Sequence, residues 1–89
     1  MGIAILKIKV MPEQDADLEK LKEEIEKKVK KIEGNLVKIE EEEVAFGLKS
    51  LIVMITWPEE KETGIVESAL SEIKGVSSLD VIDYRRALG

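Results

Sequence analysis

The sequence predicts an α+β domain of order βαββαβ, in which two βαβ halves build one four-stranded antiparallel sheet with both helices on the same face. Three observations predict it. Apolar residues alternate at period two near the start and past the middle of the chain, the pattern of half-buried strands. Two stretches between them carry apolar residues at steps of three and four, the pattern of helices buried along one stripe. Both helical stretches close on the same signal, Ile32-Glu33-Gly34 and Ile73-Lys74-Gly75.

The first strand reads as Ile3 to Val10. Ala4, Leu6, Ile8 and Val10 form one face, and Ile3, Ile5, Lys7 and Lys9 the other. Met11-Pro12 ends it, because proline has no N–H to give to a ladder. In the first helix Leu18, Leu21, Ile25, Val29 and Ile32 fall on one stripe. Asp15 or Asp17 caps its start. Glu23–Lys27, Glu24–Lys28 and Glu26–Lys30 are i,i+4 pairs in the favourable order, and acids lead while lysines trail, as the macrodipole prefers. Gly34 ends the helix.

Leu36 to Ala45 reads as a weaker, acidic strand. Gly47 marks a turn, and Leu48 to Trp57 is a clear strand, with Leu51, Val53, Ile55 and Trp57 on one face and Leu48, Ile52 and Met54 on the other. Pro58 stops it, and Glu59 to Glu62 form a charged loop. Thr63 is the N-cap expected for a second helix, whose stripe is Ile65, Val66, Ala69, Leu70 and Ile73. Gly75 ends that helix, and Ser77 to Tyr84 is the last strand. Right-handed crossovers then place both helices on one sheet face. This is the ferredoxin-like arrangement, and the other sheet face is left open to solvent or to a partner.

Composition narrows the function. The 89 residues make one domain, 1–89, with room for one core. Cysteine and histidine are absent, which removes thiolate nucleophiles, Cys-based metal sites, the commonest general base and the commonest transition-metal ligand. Only carboxylate sites for hard cations remain. The net charge of -5 argues against a phosphate-binding surface as the main activity. No segment has the form of a signal peptide or approaches the roughly 18 apolar residues of a membrane span, so the expected location is the cytoplasm. Charged residues make up 37% of the chain. That Lys and Glu excess, with few thermolabile residues, is the bias of hyperthermophile proteins. The expectation is a binding domain that performs no covalent chemistry and needs no cofactor or metal.

Several features stand out from the scaffold. The run Glu40-Glu41-Glu42-Glu43 is either a hard-cation site or, more commonly, a solvated strand end. Phe46, beside Gly47, is either a core residue or a contact residue at a turn. Trp57 is expected to cap the core beneath the helices, whereas Tyr84 either does the same or presents its ring outward. Arg85 and Arg86 are the only arginines. They form either a frayed tail or a cationic finger, arginine being suited to phosphate-rich or carboxylate-rich sites. Ile3, Ile5, Ile52 and Met54 are placed on the open sheet face, where an apolar patch would mark an interface.

Taken together, Ile8-Lys9-Val10-Met11-Pro12, Val44-Ala45-Phe46-Gly47-Leu48-Lys49-Ser50-Leu51, Gly75-Val76 and the tail Asp83-Tyr84-Arg85-Arg86 resemble the archaeal translation elongation factor 1-beta family. These are guanine-nucleotide exchange factors for elongation factor 1-alpha. The likeness runs along nearly the whole chain and is most specific at Phe46-Gly47-Leu48-Lys49. It extends to the C-terminal catalytic domain of the eukaryotic exchange factor. In that family an aromatic followed by Gly, an aliphatic residue and Lys reaches into the GTPase, and a Lys just before the C-terminus disturbs its magnesium and phosphate site. The resemblance implies that Phe46, Gly47 and Lys49 contact the GTPase, with Tyr84, Arg85 and Arg86 forming the second contact. Arg86 stands where the family has lysine, so charge is kept while reach and hydrogen-bond geometry change. The implied partner is elongation factor 1-alpha, GDP-bound or nucleotide-free, with no direct nucleic-acid or membrane contact. The ring and the guanidinium are expected to converge on one place in the GTPase. Three rival readings are a small-ligand-binding regulatory module dimerising through its sheet, an RNA-binding domain and a carboxylate-metal enzyme. The first lacks a clear polar set for a ligand. The second is disfavoured by net charge and by having too few aromatics for base stacking.

Overall fold

In the computed structural model, which describes residues 2–87, the elements follow the expected order. They are β1 (Ile3–Pro12), α1 (Leu18–Lys31), β2 (Asn35–Glu43), a single tight turn at Ala45–Gly47, β3 (Lys49–Pro58), α2 (Gly64–Ser71) and β4 (Val76–Ala87). The strands form one antiparallel sheet in the order β2-β3-β1-β4, and the fold is ferredoxin-like.

The period-two reading places the core correctly. Ala4, Leu6, Ile8 and Val10 on β1 and Leu51, Val53, Ile55 and Trp57 on β3 are all buried, against Leu21, Ile25 and Val29 of α1 and Val66 and Leu70 of α2. Burial of branched side chains on the two central strands and both helices is the main favourable term in folding. Trp57 closes this core, as expected. Its indole N–H donates to the Lys61 carbonyl at 3.2 Å, and Lys61 Nζ lies 5.6 Å from the ring centre, a cation–π contact.

Local boundaries differ in instructive ways. β1 continues to Pro12, which pairs with Val76 across an irregularity in β4. Ladder pairing with β3 has already ended at Val10, so Pro12 forfeits nothing on that side. At α1, Asp17 is the cap, its Oδ1 accepting from the N–H groups of Glu19 and Lys20 at 3.1 and 3.3 Å. The exit of α1 is not made by Gly34 turning left-handed. Glu33 takes that conformation, with φ 68°. Its N–H donates to Lys30 O, and the Gly34 N–H reaches Val29 O at 2.9 Å, the two bonds of a Schellman ending. Gly34 is needed for space instead: a Cβ there would meet Val29 Cγ1 at 3.1 Å and the Trp57 ring at 3.3 Å. Thr63 stands at the start of α2 but makes no side-chain cap bond. The anticipated i,i+4 ion pairs of α1 give way to Lys27–Glu24 at 3.8 Å and Lys28–Glu72 at 3.6 Å. The second of these ties α1 to the residue after α2.

β4 runs to Ala87, three residues beyond the expected Tyr84, so Arg85 and Arg86 lie within the strand and are not a frayed tail. Its pairing with β1 slips between Lys7↔Asp83 and Ile8↔Val81, which leaves Ile82 as an extra residue in a β-bulge. β2 carries a similar irregularity at Val37, between Leu36↔Ile55 and Lys38↔Met54. Both edge strands are therefore bulged, which blunts edge-to-edge association.

Candidate functional site

The β2–β3 connection is built to present one ring. After Glu43↔Lys49, the last ladder pair, the Val44 N–H donates to Leu48 O at 2.8 Å and the Leu48 N–H to Ala45 O at 3.4 Å. To close the chain in so few residues, Phe46 and Gly47 both adopt left-handed backbone angles, with φ of 65° and 74°. Glycine does so freely. For phenylalanine it is a strained choice, of a kind that concentrates at functional sites. The side chain gains nothing from it within the molecule, because Phe46 is 98% exposed. Of the two readings left open by sequence, the core role is excluded. A groove of about 840 Å³ runs beside the ring, walled by Met11, Pro12, Leu18, Leu48 and Ser77.

The base of this hairpin is held by charge. Glu41 is on β2 opposite Leu51 and so on the helix side of the sheet. One carboxylate oxygen accepts from Lys22 Nζ of α1 at 2.7 Å, and the other from Lys49 Nζ at 3.3 Å. Glu19 also approaches Lys22, at 3.5 Å. Within the acidic run, this residue thus joins α1 to β3. Among the described residues no group of side chains is arranged to hold a metal ion. The Lys22 bond, then the Lys49 bond, hold the Glu41 carboxyl below its usual range, and the bond to Glu41 raises the pKa of Lys22. A carboxylate whose pKa is lowered by folding adds stability above its unfolded value and loses it as the pH falls through the folded one. Acid should therefore lower the melting temperature of the wild-type chain below about pH 4.5, the ordinary value. Glu41→Gln should lack that part of the loss in thermal melts run from neutral pH downward.

The tail site is at the other end of the sheet. Arg86 lies opposite Ala4 and Arg85 opposite Ile5, beside the end of β3, where Ala4 also pairs with Trp57. The hairpin tip follows Leu51, which pairs with Val10. From Ala4 to Val10 along β1 is about 20 Å at ~3.3 Å per residue, and the tip extends further still, in a molecule 41 Å long. The expected convergence of ring and guanidinium is thereby corrected. Phe46 projects at one pole and the arginines stand at the opposite pole, because an antiparallel hairpin tip and the end of a strand two positions away need not share an edge.

The Ile82 bulge also separates the two arginines. Leu79 and Val81 point under the helices, opposite Val10 and Ile8. Beyond the extra residue the alternation reverses, so Tyr84 and Arg86 share the helix side, while Asp83 and Arg85 lie on the open face. Tyr84 is 43% exposed and presents its ring at the surface of the edge strand, not in the core. Both guanidinium groups are largely exposed. Arg85 Nε bonds Asp83 Oδ2 at 3.0 Å, and Arg86 Nε lies 3.5 Å from Glu59 Oε1. Sequence reading overlooked Glu59 and Glu41, since each acts through a partner distant in sequence. On the open face, Ile3, Ile5, Ile52 and Met54 take their expected places, none fully buried, joined by the bulged Ile82.

Known proteins resemble this chain along nearly its whole length. Residues 5–87 match the family described as EF-1 guanine nucleotide exchange domain. The chain is 47% identical to an elongation factor 1-beta of Methanothermobacter thermautotrophicus, over 99% of this chain and all of the relative. It is 42% identical to that of Methanosarcina barkeri, over 97% and 99%, and 43% identical to that of Metallosphaera sedula, over 89% of each. Among solved structures, the ACT domain from GTP pyrophosphokinase of Chlorobium tepidum superposes with a TM-score of 0.63 at 15% identity, over 88% of this chain and 96% of that one. That likeness concerns the fold alone.

Proposed function

The chain belongs to the EF-1 guanine nucleotide exchange domain family, and from that premise we propose that it acts on elongation factor 1-alpha through two contacts, Phe46 at one pole and Arg86 at the other. Guanine-nucleotide exchange in translation elongation is its activity. The exchange domain occupies residues 1–89, works in the cytoplasm, and forms or breaks no covalent bond. No cofactor, nucleic acid or membrane enters the reaction.

The observation that carries the site is the wholly exposed Phe46 ring on a left-handed backbone, which has no use within the isolated molecule. Exposed aromatics that enter a partner's pocket dominate binding energy. Gly47 permits the turn, and Lys49, braced by Glu41, borders the ring. Because the poles are more than about 20 Å apart, one GTPase must be met at two places. Phe46 supplies the hold, and the tail pole with Tyr84, Arg85 and Arg86 supplies the disturbance.

A GTPase keeps its nucleotide through backbone N–H groups, a P-loop lysine and a bound magnesium ion. Exchange weakens that hold without substituting for it. A guanidinium brought near the metal repels it. Two unit charges about 4 Å apart interact by roughly 4 kcal/mol at an effective dielectric of 20, and about 4 kcal/mol off the barrier gives a thousandfold faster release. One placed arginine is of the required order. The assay is release of a fluorescent GDP analogue from elongation factor 1-alpha, with and without this protein. Acceleration is the expected result, and an unchanged release rate overturns the assignment.

A further inference from the structure

Arg86 is tethered at the tail pole by a residue from another segment. Glu59, the first residue after β3, places Oε1 at 3.5 Å from Arg86 Nε, while its backbone N–H donates to the Gly2 carbonyl at 3.1 Å. A Cβ built on Gly2 would fall on the Glu59 carboxylate. Three chain segments thus meet at one carboxylate: the start of β1, the end of β3 and the end of β4. Arg85 differs, because its acid, Asp83, is on its own strand and moves with it.

We propose that Glu59 is a restraining latch on Arg86, which the arginine must leave to act on the nucleotide site; the proposal rests on the role given to Arg86 above. A guanidinium paired with a carboxylate presents a dipole, whose field falls off faster with distance than that of a free charge. Only the released cation acts at full strength on a metal site several ångströms away. The pair is suited to release, since Arg86 is 77% exposed and a solvated surface ion pair is weak. Gly2 leaves the space in which the carboxylate sits, and a side chain there would push that carboxylate aside.

The test measures the slope of GDP-release rate against exchange-factor concentration, with elongation factor 1-alpha and the full chain. Glu59→Gln should raise the slope about two- to fivefold, the factor that corresponds to a surface pair. Gly2→Ala should raise it in the same direction by displacing the carboxylate, with no change in net charge. Glu60→Gln controls for long-range charge and should leave the slope where it is. In an Arg86→Ala background, Glu59→Gln should have no effect. At about 1 M salt, where the screening length is about 3 Å, the gain should shrink toward one. An unchanged or lower slope in Glu59→Gln, an equal gain in Glu60→Gln, or a gain that survives in Arg86→Ala overturns the latch. A wild-type chain without effect on release would instead refute the exchange assignment itself, so the two failures are distinct.

Discussion

Arg86→Ala is expected to lower GDP release at saturating exchange factor about a thousandfold, the equivalent of removing roughly 4 kcal/mol of repulsion at the metal site. Its melting temperature should stay within a degree or two of wild type, because the side chain is mostly in water and its one ion pair is a surface pair. Arg86→Lys keeps the charge and should retain most of the activity. Arg85→Ala should cost only a fewfold, since the Ile82 bulge turns that residue to the opposite sheet face. Stopped-flow release of a fluorescent GDP analogue separates these variants. A full-rate Arg86→Ala would remove the cation from the mechanism.

Phe46→Ala should act differently. The ring supplies hold and no push, so the concentration for half-maximal exchange should rise by about thirtyfold or more, the loss typical of an aromatic hot spot. The rate at saturation should be unchanged. Removal of a 98% exposed ring leaves no cavity, so folding stability should not fall. Phe46→Gly should raise it by about 0.5 kcal/mol, as relief of the left-handed backbone, about 1 kcal/mol or more, outweighs the added freedom of the unfolded chain. Lost binding with gained stability distinguishes a docking residue from a structural one. A Phe46→Gly chain that melts lower than wild type would contradict the conformational account.

The scaffold was legible because alternation and stripe are direct consequences of strand and helix geometry. The buried sets on β1, β3, α1 and α2 follow from them. What alternation cannot reveal is a single extra residue. Val81-Ile82-Asp83 offers no signal for which member is unpaired, yet that bulge decides that Arg86 and Tyr84 are on the helix side of the sheet and Arg85 is not. At the exit of α1 the sequence marks the end but not which residue turns left-handed. Glycine is the usual left-handed residue, but here Glu33 takes that angle, and Gly34 is the next residue, packed close to Val29 and Trp57. Phe46 was undecidable from sequence, because a ring at a turn is buried or exposed according to two dihedral angles. Its recognition came from the resemblance around Phe46-Gly47-Leu48-Lys49. The separation of the poles emerges only from strand register, which sets Val10 beside Leu51 and Ala4 beside Arg86.

Thermodynamic linkage supplies the most direct test of a two-pole exchange mechanism. If this protein weakens GDP binding, GDP must weaken its binding by the same factor. The affinity of the chain should be measured for elongation factor 1-alpha emptied of nucleotide and for the same GTPase loaded with GDP and magnesium. Binding to the empty form should be tighter by about a hundredfold. Arg86→Ala should lose most of that preference, and Phe46→Ala should weaken both complexes alike. Equal affinity of the unaltered chain for the two forms would contradict the account.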